Sequence, residues 1–133
     1  MAKFSGDQAE FTFASTRYLC LRDFSWSSTV EEAVDRCSSA TGAVTHRTTG
    51  ATDNTFTFSV LTEAGDQTTL NALLPGTSGA FEFHPEGDTA SNIEFDAATA
   101  YVTSLDFQGA TGSLAVHTVT FAIDGTLTVR AAS

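Results

Sequence analysis

Residues 114–129, LAVHTVTFAIDGTLTV, set the fold class of this chain. Ala115, His117, Val119, Phe121 and Ile123 fall on one side of an extended backbone, the period-two pattern of a strand with one face in a core. Asp124-Gly125 stands directly before residues 126–129, and Asp-Gly between alternating runs predicts a tight hairpin turn. The same alternation recurs in both directions from this stretch. Residues 55–61 place Phe56, Phe58 and Val60 on one face, residues 80–84 place Phe81 and Phe83, and residues 8–14 place Phe11 and Phe13. Residues 100–108 carry Tyr101, Thr103, Leu105 and Phe107 on one face, after a short strand around Ile93 and Phe95 and before a turn at Gly109-Ala110-Thr111-Gly112. Residues 18–26, with Phe24 and Trp26 in register, read as a strand. Residues 30–37 read as its antiparallel return after Ser27-Ser28-Thr29, although Glu31, Glu32 and Ala33 also suit a short helix.

Two segments break the pattern. Residues 65–76, GDQTTLNALLPG, space Leu70, Leu73 and Leu74 at i, i+3 and i+4, with Asp66 able to cap and Pro75-Gly76 as a stop. This predicts one helix of about two turns, which must lay its leucines on a sheet to persist. Residues 38–54, SSATGAVTHRTTGATDN, hold Val44 as the only sizeable apolar side chain and read as a long loop, the leading interaction candidate because long loops in compact domains are usually functional. The expected architecture is mainly β, with about eight strands in two packed antiparallel sheets, a sandwich or partly closed barrel, and one short α-helix. A length of 133 residues fits a single domain over the whole chain.

Composition narrows the function. Sixteen Asp and Glu against six Lys and Arg give a formal charge of −10. The few cations, Lys3, Arg17, Arg22, Arg36, Arg47 and Arg130, are scattered among acids, so a stable grip on nucleic acid or on an anionic membrane is disfavoured. No apolar run approaches the ~18 residues of a membrane helix, and MAKFSGDQAE lacks the regions of a secretion signal. Cys20 and Cys37 form no CxxC pair and read as small apolar residues of a reducing compartment; a disulfide requires that their strands be adjacent.

Catalytic patterns are missing from the sequence. No GxSxG elbow, HExxH or phosphate-binding glycine loop occurs. His117 shares a strand face with Val119 and Phe121 and reads as a packing residue, while His46 and His84 have no ligand at metal-motif spacing. The acids Glu86, Asp88, Glu94 and Asp96 gather around a turn without EF-hand spacing and read as solvated, with a calcium ion held by their carboxylates as the alternative. Glu31, Glu32 and Asp35 form a second acidic group; on a strand, Glu31 and Asp35 share one face and Glu32 takes the other. Fourteen aromatic residues, including Phe4, Phe24 and Trp26, are explained mostly by core packing, with an exposed sugar-stacking platform as the alternative.

The order FSWSSTVEEAVDRC, a Gly- and Thr-rich stretch, NTFTFSVL, DQTTLNALL, GAFEFHPEGD, AYVTSLDFQG and AVHTVTFAIDGTLTV resembles the major tail tube proteins of long-tailed bacteriophages from about residue 8 to residue 130. The resemblance implies a non-enzymatic virion subunit, made in the host cytoplasm, with no cofactor and no membrane contact. Its partners are then identical copies in six-membered rings stacked head to tail, together with terminator, tape measure and tail-tip proteins. It also implies DNA passing through the bore, where Glu31, Glu32 and Asp35 are candidate lumen-lining residues. The stretch 38–54, with Val44, His46, Arg47 and Asp53, becomes the candidate ring-stacking loop, ordering on contact with the next ring. The competing class is a monomeric or virion-displayed immunoglobulin-like or carbohydrate-binding sandwich.

Overall fold

Alternating Phe and β-branched residues form strands that turn their rings to one side, and the chain resolves the resulting apolar face by curling it onto itself. A computed structural model describes residues 9–19, 21–39, 42–62, 67–86, 92–109 and 114–131. Within them lie β1 (Glu10–Phe13), β2 (Thr16–Tyr18), β3 (Leu21–Ser39), β4 (Gly42–Leu61), α1 (Gln67–Ala72), β5 (Ser78–His84), β6 (Ile93–Gln108) and β7 (Val116–Ala131). All strand pairs are antiparallel, in one sheet of order β2-β1-β5-β6-β7-β4-β3. The mainly β class with one short helix is therefore as expected, and the two packed faces are two halves of a single sheet. Twist brings them together. Phe11 of β1 stacks on Phe58 of β4 at 4.3 Å, and Phe13 meets Phe121 of β7 at 4.7 Å, although these strands are far apart in sheet order. The result is a partly closed barrel.

Phenylalanine fills it. Phe11, Phe13, Phe56, Phe58, Phe81, Phe83 and Phe121 are all buried, with Val60, Val102 and Val119 between them. Phe58 alone lies within ring-contact distance of Phe11, Phe56, Phe81, Phe83 and Phe121. The faces expected for residues 8–14, 55–61 and 80–84 are the ones observed. Helix α1 is also where the leucine spacing puts it, but only Leu73, just past its end, is fully buried, and Leu74 points outward. The Asp66 cap lies outside the described residues. After the stop at Pro75-Gly76, Gly76 N–H donates to the Val102 carbonyl at 2.8 Å and Val102 N–H to the Thr77 carbonyl at 2.9 Å, so this segment extends the pairing of β6 on its β5 side.

Four expectations are corrected. Residues 18–26 and 30–37 do not form a hairpin: β3 runs unbroken from Leu21 to Ser39 through Ser27-Ser28-Thr29. Residues 38–54 are not a loop, because β4 begins at Gly42 and pairs with β3 along its length, and each strand satisfies the other's backbone polar groups without a core beneath. Residues 93–95 and 100–108 are one strand, β6. A bulge between Val102 and Ser104 reverses its alternation, so Val102 is buried and Tyr101 exposed before it, whereas Leu105 and Phe107 fall opposite Val119 and His117 after it, with Phe107 still exposed near the strand end. Asp124-Gly125 does not turn the chain. Gly125 and Thr126 of β7 oppose the single residue 98 of β6, a bulge that Gly125 accommodates at φ 94°, and pairing resumes to Ala131. The turn 109–112 and Cys20 fall largely or wholly outside the described residues; Cys37 sits opposite Val44 in register.

The tightest reversal has no sequence signal. Phe13 pairs with Thr16, so Ala14 and Ser15 alone make the turn, at φ 50° and 70°. These are the left-handed values of a type I′ turn, where glycine is favoured. Ser15→Gly is expected to raise stability by about 1 kcal/mol in urea unfolding. Phe58→Ala, which empties the centre of the ring cluster, is expected to lower it by about 3–5 kcal/mol by the same measurement.

Candidate functional site

The long strands outrun the core. β4 pairs with β7 only from Thr55 to Leu61, whereas its pairing with β3 continues from Asn54 opposite Ser28 down to Gly42 opposite Ser39. Below Asn54, β3 and β4 are thus a two-stranded arm, roughly 35 Å long at about 3.3 Å per residue. A bulge between Val30 and Glu32 bends its register. β3 is also an edge of the sheet, so one side of its backbone faces no strand among the described residues. Val30 and Val34 are 48% and 54% exposed, apolar side chains with no core to enter.

The sequence candidates for two separate roles meet on this arm. Glu31, Glu32 and Asp35 lie on β3, and Val44, His46, Arg47 and Asp53 lie on β4. In register Asp35 opposes His46, Val34 opposes Arg47, and Thr29 opposes Asp53. The Arg47 guanidinium donates to the Glu32 carboxylate, an exposed ion pair that neutralises one of the three candidate lumen acids. Such a pair contributes little to stability, under ~1 kcal/mol. Glu31, by alternation from Thr29, is on the opposite face of the arm from Glu32.

That opposite face continues into a wall the sequence reading missed. Away from the core, β3, β4, β7 and β6 align Ser25, Thr57, Thr120 and Ser104 in one row and Asp23, Ser59, Thr118 and Asp106 in the next. Cross-strand hydroxyls meet, Thr57 Oγ1 with Thr120 Oγ1 at 3.5 Å and Ser59 Oγ with Thr118 Oγ1 at 3.2 Å. Ser27, Thr29, Asp53 and Thr55 extend the pattern toward the arm. No Lys or Arg occupies any of these register positions. The available signal was the polar half of each alternating run, Thr55, Thr57, Ser59, Thr118 and Thr120, but its continuity across strands requires the strand order.

The remaining candidates sort differently. Trp26 is 44% exposed, with its ring 5.0 Å from Phe95 and its Nε1 donating to Asn54 Oδ1 at 3.3 Å. His117 is buried as expected, with Nδ1 2.9 Å from Thr62 Oγ1. The acidic turn is not simply solvated. Glu86 accepts a hydrogen bond from Ile93 N–H at 2.8 Å, while Glu94 is buried against Arg130; Asp88 lies outside the described residues. His84 has partners that no linear spacing revealed, Glu82 on its own strand and Glu94 on the next.

Solved structures share this architecture across nearly the full chain. One chain comes from the tail of an empty gene transfer agent particle with C6 symmetry; it has TM-score 0.70 and 15% identity, covering 96% of this chain and 98% of that one. Another belongs to the sheath/tube terminator of an extracellular contractile injection system in its extended state, at TM-score 0.68 and 12% identity, covering 98% of both chains. A third comes from the tube-terminating cap of the anti-feeding prophage, at TM-score 0.66 and 14% identity, covering 99% and 93%. The chain shares its fold with these tail and tube-terminating chains. No protein-family model matches the chain, and no curated protein matches it in sequence.

The arm has backbone hydrogen bonds, and the large apolar side chains described on it, Val30 and Val34, are exposed; two-stranded ribbons alone are marginal in water. Amide hydrogen exchange of the dispersed chain is expected to be at least about tenfold faster at residues 29–36 and 46–53 than at residues 56–60, which sit on the core. Equal protection in both regions contradicts this.

Proposed function

We propose that this chain is the structural subunit of a tail tube, assembling into stacked six-membered rings that form a conduit for DNA in a virion tail. The observation that carries the reading is the pair of unfinished features, the β3 edge and the β3–β4 arm, in a chain that shares its fold with tail and tube-terminating chains. An edge strand of nineteen residues is a liability in a monomer, and pairing it with a neighbour's strand removes the liability. Repeated around a ring, such pairing closes a barrel. The six-fold order is supported by the C6 symmetry of the gene transfer agent tail. Rings then stack through the arm, whose Val44, His46, Arg47 and Asp53 contact the adjacent ring and whose Val30 and Val34 become covered. Terminator, tape measure and tail-tip proteins meet the tube at its ends and in its bore.

The polar wall supplies the lumen. A ring of six has a formal charge of −60, six times the −10 of one chain. Hydroxyls offer DNA only neutral, exchangeable hydrogen bonds, and Asp23, Asp53, Asp106, Glu31 and Asp35 repel phosphates within the ~8 Å screening length. With no Lys or Arg at the register positions named, those positions supply no counterion-release term to hold DNA in place. The task requires no covalent chemistry and no cofactor.

Two measurements test the reading. Sedimentation velocity over a wide concentration range is expected to show conversion to large particles, with annular and tubular views in negative stain, whereas a carbohydrate-binding or immunoglobulin-like module stays at 14.0 kDa. Virions carrying Glu31→Lys and Asp35→Lys are expected to retain their tubes while ejecting DNA slowly or incompletely. Normal ejection from such virions contradicts the lumen assignment.

A further inference from the structure

We propose that Glu82, His84 and Glu94 form a binding site for a divalent transition-metal ion of the zinc type, away from the edge and the arm. The site follows from strand geometry. Glu82 and His84 are two apart on β5 and so share a face, and the pairing of Phe83 with Phe95 carries Glu94 of β6 opposite His84. His84 is 2% exposed and Glu94 6%. His84 Nε2 lies 3.4 Å from Glu82 Oε2 and 3.6 Å from Glu94 Oε1, and the three ligand atoms all fall within 4.8 Å of one another. A zinc ion with bonds of about 2.0–2.2 Å sets its tetrahedral ligands about 3.4 Å apart. Both imidazole–carboxylate edges already have that spacing, so only the two carboxylates need close.

The surroundings hold these groups for such an ion. Arg130 Nε lies 2.7 Å from Glu94 Oε2, and its Nη2 donates to Asp96 Oδ2 at 2.7 Å, which turns the other Glu94 oxygen toward His84. Ligating carboxylates fixed through their second oxygen are the usual outer-shell arrangement. On the other side of His84, Glu10 of β1 is held by Arg17 of β2 at 2.6 Å. Among the described residues, Glu10, Glu82, Glu94 and Asp96 thus face two guanidiniums, leaving two negative charges that a divalent cation balances. The Glu82 side chain is 46% exposed, leaving a path from solvent and room for a water as fourth ligand. One imidazole and two carboxylates favour zinc-like ions over calcium, which takes six to eight oxygens. The bound ion staples β5 to β6.

Zinc titrated calorimetrically into the chelator-treated full chain is expected to bind with one equivalent at this site and to raise the melting temperature. Cobalt is expected to give the visible absorption of a tetrahedral centre. Glu82→Gln, at a half-exposed position that leaves the core untouched, and Glu94→Gln are each expected to weaken binding by about 10- to 100-fold or more. His46→Ala on the arm is expected to leave it unchanged. Absence of binding at millimolar zinc, or binding that survives both glutamine variants, overturns the proposal.

Discussion

One cluster of phenylalanine rings can bury only part of the strands that feed it, and the rest of the molecule follows from that limit. β3, β4, β6 and β7 are sixteen to twenty residues long, yet the rings of Phe11, Phe13, Phe56, Phe58, Phe81, Phe83 and Phe121 cover only the portions where the sheet curls back on itself. Hydrophobic burial stabilises this end of the molecule. Beyond it, strand pairing is held by backbone hydrogen bonds and by cross-strand pairs of small polar side chains, each contributing only tenths of a kcal/mol.

The division is also a division of labour. The closed end fixes strand order and twist, and so fixes the direction in which the β3 edge, the arm and the polar wall are presented. The open end offers a backbone edge that no strand among the described residues pairs, exposed Val30 and Val34, and a face with hydroxyls and carboxylates but no basic residue at its named register positions. A monomeric module has no need of an arm of this length. The proposed tube uses both: a self-sufficient core that folds before assembly and an incomplete sheet that neighbours finish.

Where a strand lies on the core, the sequence announces it. Phe56-x-Phe58-x-Val60 and Phe81-x-Phe83 alternate because one side of each is buried, and Leu73 marks the helix for the same reason. Residues 42–54 are legible only as something polar, since the side chains described there up to Asp53 are exposed and no burial forces alternation. Bulges defeated local reading in another way. One extra residue near Thr103 exchanges the faces of β6, and Asp124-Gly125 provides the positive φ of a bulge as readily as that of a hairpin. The candidate site residues were individually visible, but their meeting on one arm depends on the β3–β4 register. The grouping of His84 with Glu94 depends on β5 and β6 being neighbours, which no spacing along the chain encodes.

The central claim is that the β3 edge is completed by an identical chain. Electron cryo-microscopy of the assembled protein, at a resolution that traces backbone, tests it most directly. The account predicts a continuous barrel wall in which β3 of each subunit is hydrogen-bonded to a strand of the next and the Thr57–Thr120 face lines the bore. A ring or tube in which β3 faces solvent, or in which that hydroxyl face points outward, contradicts it.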